Sequence, residues 1–233
     1  MRKFNFIKLL AVFSIVLMSN YASANKPNVH TIIEQMNYID QESILSAHTQ
    51  NNDKTVQRIS AYLNSLKSIA AEFIQVAADG TNSDGMFFLS RPGKLRWQYN
   101  PPTPILIVIN GKKLIYYDYE LNEISYTNTH DVLGSFLTAE RIDFSDKMVK
   151  SEVIAKNNII RVTLIHKTKT DEKMVMIFKD NPLELKKMEF YDANGQMTSV
   201  SFHNAKYNHK IDDELFVVKN PRIFGKQKQP NAN

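Results

Sequence analysis

Residues 85–119 read GMFFLSRPGKLRWQYNPPTPILIVINGKKLIYYDY. This stretch constrains the fold more than any other, because it can only be a series of short strands divided by breaks. At Arg91-Pro92-Gly93, proline presets φ and glycine accepts a positive φ, which suits the centre of a tight turn. The three prolines in 100–104 remove three donors, so no ladder runs through them. Asn110-Gly111 predicts a two-residue hairpin with both residues at the centre of a type I′ turn. Between the breaks the side chains alternate. Leu95, Trp97 and Tyr99 share one face, and Lys94, Arg96 and Gln98 share the other. Ile105 to Ile109 is apolar on both faces, which predicts a strand covered on both sides.

The same reading extends along the chain. Strands are expected at 69–78, 85–90, 114–119, 123–128, 151–156, 159–166, 173–179, 185–192, 196–202 and 216–218, besides those just described. Asn157-Asn158 and Asn194-Gly195 mark hairpin turns. Of the seven glycines, Gly80, Gly85, Gly93, Gly111 and Gly195 are placed at breaks. Ten or eleven short strands joined by tight turns imply a mainly β protein: one large antiparallel sheet, strongly curved.

Two stretches break the β pattern. Residues 53–66 predict a helix, with Asp53 as its cap and Val56, Ile59, Leu63 and Leu66 along one face. Such a helix packs on the core, and across the concave side of a curved sheet it would plug the opening. Residues 131–138 carry Val132, Leu133, Phe136 and Leu137 as an apolar stripe, with Asp131 near the start, which predicts one or two short helices.

The N-terminus reads as an export signal. Arg2, Lys3 and Lys8 lead into the run from Leu9 to Met18, and Ala22-Ser23-Ala24 fits a cleavage site. That ten-residue run falls short of the ~20 needed to span a bilayer. Segments are therefore expected as a signal peptide (1–24), a polar N-terminal extension (25–53) in which Val29, Ile32, Ile33 and Met36 have helical spacing, a β domain (54–225) and a polar tail without structure (226–233). The chain has no cysteine, so disulfides and N-terminal acylation on cysteine are both excluded.

Motifs for catalysis are lacking. There is no G-x-S-x-G, no H-E-x-x-H, no phosphate-binding loop and no thiol nucleophile. The six histidines show no ligand spacing; His203 and His209 lie across an expected turn. The reading is therefore not an enzyme, with no catalytic residue, no metal and no cofactor, and nucleic-acid binding is not expected of an exported protein. Apolar side chains are instead in excess. Met174, Met176 and Phe178 line one side of a strand, Val175 and Ile177 the other. Methionine repacks readily around varied shapes, which fits either an ordinary core or a surface for alkyl chains.

The series strand, Arg-Pro, Arg-Trp-x-Tyr, x-Pro-Pro, apolar strand, Asn-Gly, Tyr-x-Asp resembles the periplasmic outer-membrane lipoprotein carrier family, and the likeness runs to about Pro221. The resemblance implies an incomplete β-barrel with a helical lid and plug, residing in the periplasm. It implies a monomer that shields the acyl chains of lipoproteins, loaded by an ATP-driven inner-membrane release complex and unloaded by an outer-membrane receptor. Carried over residue by residue, it makes Arg91 the contact to the lid and Val132, Leu133, Phe136 and Leu137 the lid helix. Leu95, Trp97, Ile107, Met174 and Met176 become candidate cavity walls, with an ordinary core as the competing reading. A lipid- or partner-binding envelope sensor of similar fold, without transport, is the alternative function; an enzyme acting on envelope lipids is a distant third.

Overall fold

A computed structural model describes residues 54–128, 133–144, 149–166, 171–219, 225 and 228–230. The expected signal, the extension, Asp53, Asp131 and Val132 lie outside these residues. Helix α1 spans 54–65. Six strands follow: β1 (Ser68–Val76), β2 (Asn82–Ser90), β3 (Lys94–Tyr99), β4 (Ile105–Asn110), β5 (Lys113–Asp118) and β6 (Glu123–Asn128). A short helix α2 (Leu133–Thr138) precedes β7 (Val149–Lys156), β8 (Ile159–His166), β9 (Lys173–Lys179), β10 (Glu184–Tyr191) and β11 (Met197–Tyr207), and a 3-10 turn covers Asp213–Phe216.

The eleven strands form one antiparallel sheet in the order β6-β5-β4-β3-β2-β1-β11-β10-β9-β8-β7. Two meanders are thus joined where β1 pairs with β11. The sheet does not close. β6 and β7 are consecutive in the chain yet stand at opposite edges. The segment between them, which contains α2, must therefore pass from one edge of the sheet to the other.

Curvature shows in what α1 touches. Tyr62 packs edge-on against Phe178 of β9, with ring centroids 6.0 Å apart. The next residue, Leu63, gives its carbonyl to Arg91, in the β2–β3 turn. In a flat sheet β2 and β9 would lie about 19 Å apart. A helix about 10 Å across reaches both flanks only if the sheet wraps around it. Register shifts in the β1–β11 and β9–β10 pairs add local twist.

Both faces are apolar over β4. The concave face carries the main core, including Phe73, Phe87, Leu95, Trp97, Ile107, Met176, Phe178 and Phe202, closed by Ile59 and Leu63 from α1 and by Leu66 just past its end, where the expected helix of 53–66 stops one residue short. The convex face carries a second core of Leu106, Val108, Ile115, Tyr117, Tyr119 and Phe216. The expected two-sided covering of β4 is what the structure has.

Several local expectations are corrected. The 216–218 segment is not a strand. Asp212 accepts from Glu214 N and starts a 3-10 turn that buries Phe216 against the convex face. Three apolar residues look the same in either role, and β3, β4 and β5 are already paired on both sides. β11 does not stop at Phe202; it continues to Tyr207 through an irregularity where Asn204 takes a φ of 50°. Gly85 is no break. It lies inside β2, where an added Cβ would stand 2.0 Å from Gln98 O and 2.9 Å from the Phe73 ring. At 110–113 the hairpin is present but shifted. Asn110 pairs with Lys113, so Gly111 and Lys112 are the central residues, and only Gly111 has a positive φ, 61°. A positive φ at the first central residue is the demand of a type II′ turn, and glycine meets it. Asn110 is freed to donate from Nδ2 to Phe216 O.

Candidate functional site

The candidate site is the concave face with the elements that cover it. Its walls rise on the two flanks. Leu95, Trp97 and Ile107 stand on β3 and β4, and Met174 and Met176 on β9, with β2, β1, β11 and β10 as the floor between. The structure therefore brings all five sequence-derived wall residues to one face, and all five are buried in one core. Among the described residues, α1 covers the space between the flanks. A residual gap of about 10 Å³, bordered by Ile69, Phe87, Leu185, Phe202, Ala205 and Tyr207, holds one water at most.

Helix α1 is the filling, and it is tied on three sides. Arg58 forms an ion pair with Asp180 at the β9–β10 turn. Tyr62 accepts at its hydroxyl from Leu185 N, 3.2 Å. Asn64 makes a reciprocal pair with the backbone after α2: its Nδ2 donates to Ile142 O at 2.9 Å and its Oδ1 accepts from Ile142 N at 2.8 Å. These ties are polar and lie at the rim. The apolar face of α1 points inward, as the spacing of Val56, Ile59 and Leu63 requires.

Arg91 joins α1 to α2. Its Nε donates to Leu137 O of α2 at 2.7 Å, and its Nη1 donates to Leu63 O of α1. Helix C-termini leave carbonyls without intrahelical donors, and one guanidinium here serves two helix ends. Gly93 N donates to Thr138 O at 2.8 Å, so the same turn holds α2 a second time. Gly93 O in turn accepts from Gly111 N, which braces this turn against the next hairpin. Burial lowers the Arg91 pKa to about 10, so the charge persists at neutral pH.

Of the expected lid stripe, Leu137 is buried in the main core and Phe136 packs near Phe144, ring centroids 5.6 Å apart. Val132 and the side chain of Leu133 lie outside the described residues. No cluster of three or more His, Cys, Asp or Glu that could hold a metal occurs among the described residues. No helix among them is long and apolar enough to cross a membrane.

Sequence reading missed part of the site. Phe73, Phe87 and Phe202 surround Trp97, with centroids 5.4, 5.1 and 6.5 Å from it. Their alternation along β1, β2 and β11 was a usable signal. Asn64 gave none, since a surface helix asparagine looks the same without a partner. The opposite face of β3 was also misleading. Arg96 and Gln98 are buried there, with Arg96 Nε and Nη2 donating to Gln98 Oε1 and Nη1 to Leu215 O. The tail residue Gln229 donates to Tyr99 O and Thr103 O, at 2.7 and 2.8 Å, where the sequence had suggested no structure.

The fold and site define a class: an open antiparallel half-barrel whose apolar concave face is covered by one helix, which a shared arginine ties to a second. The sequence matches the family model described as outer membrane lipoprotein carrier protein LolA over residues 64–219, and the chain belongs to that family. It is 30% identical over 171 residues to the outer-membrane lipoprotein carrier protein of Methylobacillus flagellatus, covering 69% of this chain and 82% of that one. The outer-membrane lipoprotein carrier protein of Methylococcus capsulatus is 27% identical over 172 residues, 70% and 83% of the two chains. A Rickettsia prowazekii protein described as uncharacterized is 29% identical over 174 residues, 75% and 81% of the two chains.

Proposed function

We propose that the protein is a periplasmic carrier that takes lipoprotein acyl chains onto its concave face and delivers them to the outer membrane. Family membership supports the carrier role. The observation that carries the reading further is the way the concave face is closed: a filled apolar core whose cover is a separate helix, tied at its rim by polar bonds. In this reading the helix-covered arrangement is the closed form of the carrier.

Energetics agree with exchange of the plug for cargo. Lifting α1 exposes Ile59 and Leu63, at a cost of about 3–6 kcal/mol. One acyl chain of about fifteen methylenes contributes about 12 kcal/mol on burial. Cargo with two or three chains therefore displaces the plug, and a short or unacylated peptide does not. Closure also removes an apolar patch that would otherwise drive aggregation. It lowers net affinity as well, because opening is a cost subtracted from binding. That makes release to a receptor feasible. Loading by an ATP-driven inner-membrane complex and unloading by an outer-membrane receptor complete the proposal.

The test uses the single tryptophan on the concave face. Emission from Trp97 is followed as an acylated peptide, or the same peptide without acyl chains, is added. A saturating change with the acylated form alone is expected. An unchanged spectrum together with no binding by calorimetry would remove the carrier reading.

A further inference from the structure

Trp97 is the only tryptophan in the chain and is 1% exposed. Its ring is bordered by Phe73, Phe87 and Phe202, none of which carries a hydrogen-bond acceptor in its side chain. The indole Nε1 is buried and has no acceptor among the described residues. Neighbouring polar groups on the same face are treated differently. Tyr99 donates from its hydroxyl to Gln75 Oε1 at 2.7 Å, and the Tyr62 hydroxyl accepts from Leu185 N. The phenols of Tyr99 on the sheet and Tyr62 on α1 are thus satisfied, while the indole N–H meets no acceptor among the described residues.

Indole nitrogen can only donate, and a buried donor without an acceptor is unfavourable. Phenylalanine would fill much of the same space without that penalty. A donor held unmet in the closed form becomes useful when the plug leaves and an acceptor enters. An acyl chain brings one: the carbonyl oxygen at its head. Hydrocarbon walls alone bind chains by length and let them slide. A single fixed donor would recognise the carbonyl and set how deep the chain sits.

We propose that Trp97 Nε1 is a recognition donor for the acyl carbonyl of the cargo, selecting acyl esters over alkyl ethers of equal length. The proposal rests on the carrier reading above and adds a polar specificity element to an otherwise apolar site.

The test compares two lipopeptides, one with two ester-linked acyl chains and one with ether-linked alkyl chains of the same length. Each is titrated into the exported protein labelled with ¹⁵N, whose one indole N–H gives one cross-peak. The ester compound is expected to move that proton downfield and to bind about tenfold more tightly than the ether. Trp97→Phe should bring the two affinities together. Equal affinities and equal cross-peak positions for ester and ether overturn the proposal while leaving the carrier reading intact. Binding of neither compound removes both. Should Trp97→Phe fail to fold, the comparison in the unaltered protein decides alone.

Discussion

Arg91 and Gly85 show how much rests on single side chains. Replacing Arg91 with leucine removes two charge-assisted hydrogen bonds, to Leu63 O and Leu137 O. The loss is about 1.5–3 kcal/mol and shifts the balance of closed and open forms by about ten- to hundredfold. The sheet makes no use of this guanidinium, so the fold is expected to survive. Acyl-peptide loading should persist and hand-over should slow, because an open carrier holds its cargo at lower cost. Hydrogen exchange in the last turn of α1 and transfer to acceptor vesicles measure the two effects; normal transfer by a folded variant would defeat the assignment. Gly85 has a different task. A methyl group there meets backbone at 2.0 Å, so Gly85→Ala must displace β3 or the Phe73 ring. A destabilisation of about 1–3 kcal/mol or more is expected, read as a lower urea midpoint.

At the scale of elements, the carrier reading makes α1 a removable part. Its inward face is apolar and its anchors are polar and peripheral, so each anchor can be released singly. The Arg58–Asp180 pair is the tie to the β9–β10 turn. Hydrogen bonding from Arg58 lowers the Asp180 pKa below its ordinary 3.8. A carboxylate lowered in the folded state stabilises at pH above about 4, and the contribution is lost as pH falls through the lowered value. Arg58 is half exposed, so the effect is under about 1 kcal/mol. The expected result is a small stability difference between the wild type and Arg58→Ala at neutral pH that is lost as pH falls through the lowered Asp180 value. Urea midpoints across that range check it. A difference that grows with acid would mean that the pair does not act as drawn.

Over the whole molecule, the two faces of the sheet serve separate ends. The concave face meets α1 and α2, while the convex face is covered by the 3-10 turn and by the tail. Ending the chain at residue 225 removes the Gln229 bonds to Tyr99 O and Thr103 O and the Gln98 bond to Pro230 O. A loss of about 1–3 kcal/mol, a few degrees in Tm, is expected. Acyl-peptide affinity should stay unchanged, since the covered face is the opposite one. A large fall in affinity would show that the two faces are coupled. Sheet order adds a constraint of its own: because β6 and β7 are the two edges, the lid-bearing segment has no path that avoids linking them.

The strands were legible because a period of two, turn residues and prolines act locally. The inward face of α1 was legible because its spacing repeats every turn. Those signals determined a mainly β sheet, its breaks and the common face of Leu95 and Trp97. They failed where the answer depends on a distant partner. Phe216 became a cover rather than a strand because the neighbouring strands were already paired. Gly85 became a close-approach site because Phe73 and Gln98 lie against it. Arg96 and Gln98 were buried by a segment more than a hundred residues away. Asn64 found Ile142, and Arg91 found two helix ends, only once the sheet had curled around α1. Whether an apolar face is filled or open is decided by what the chain brings across it, and no local period records that.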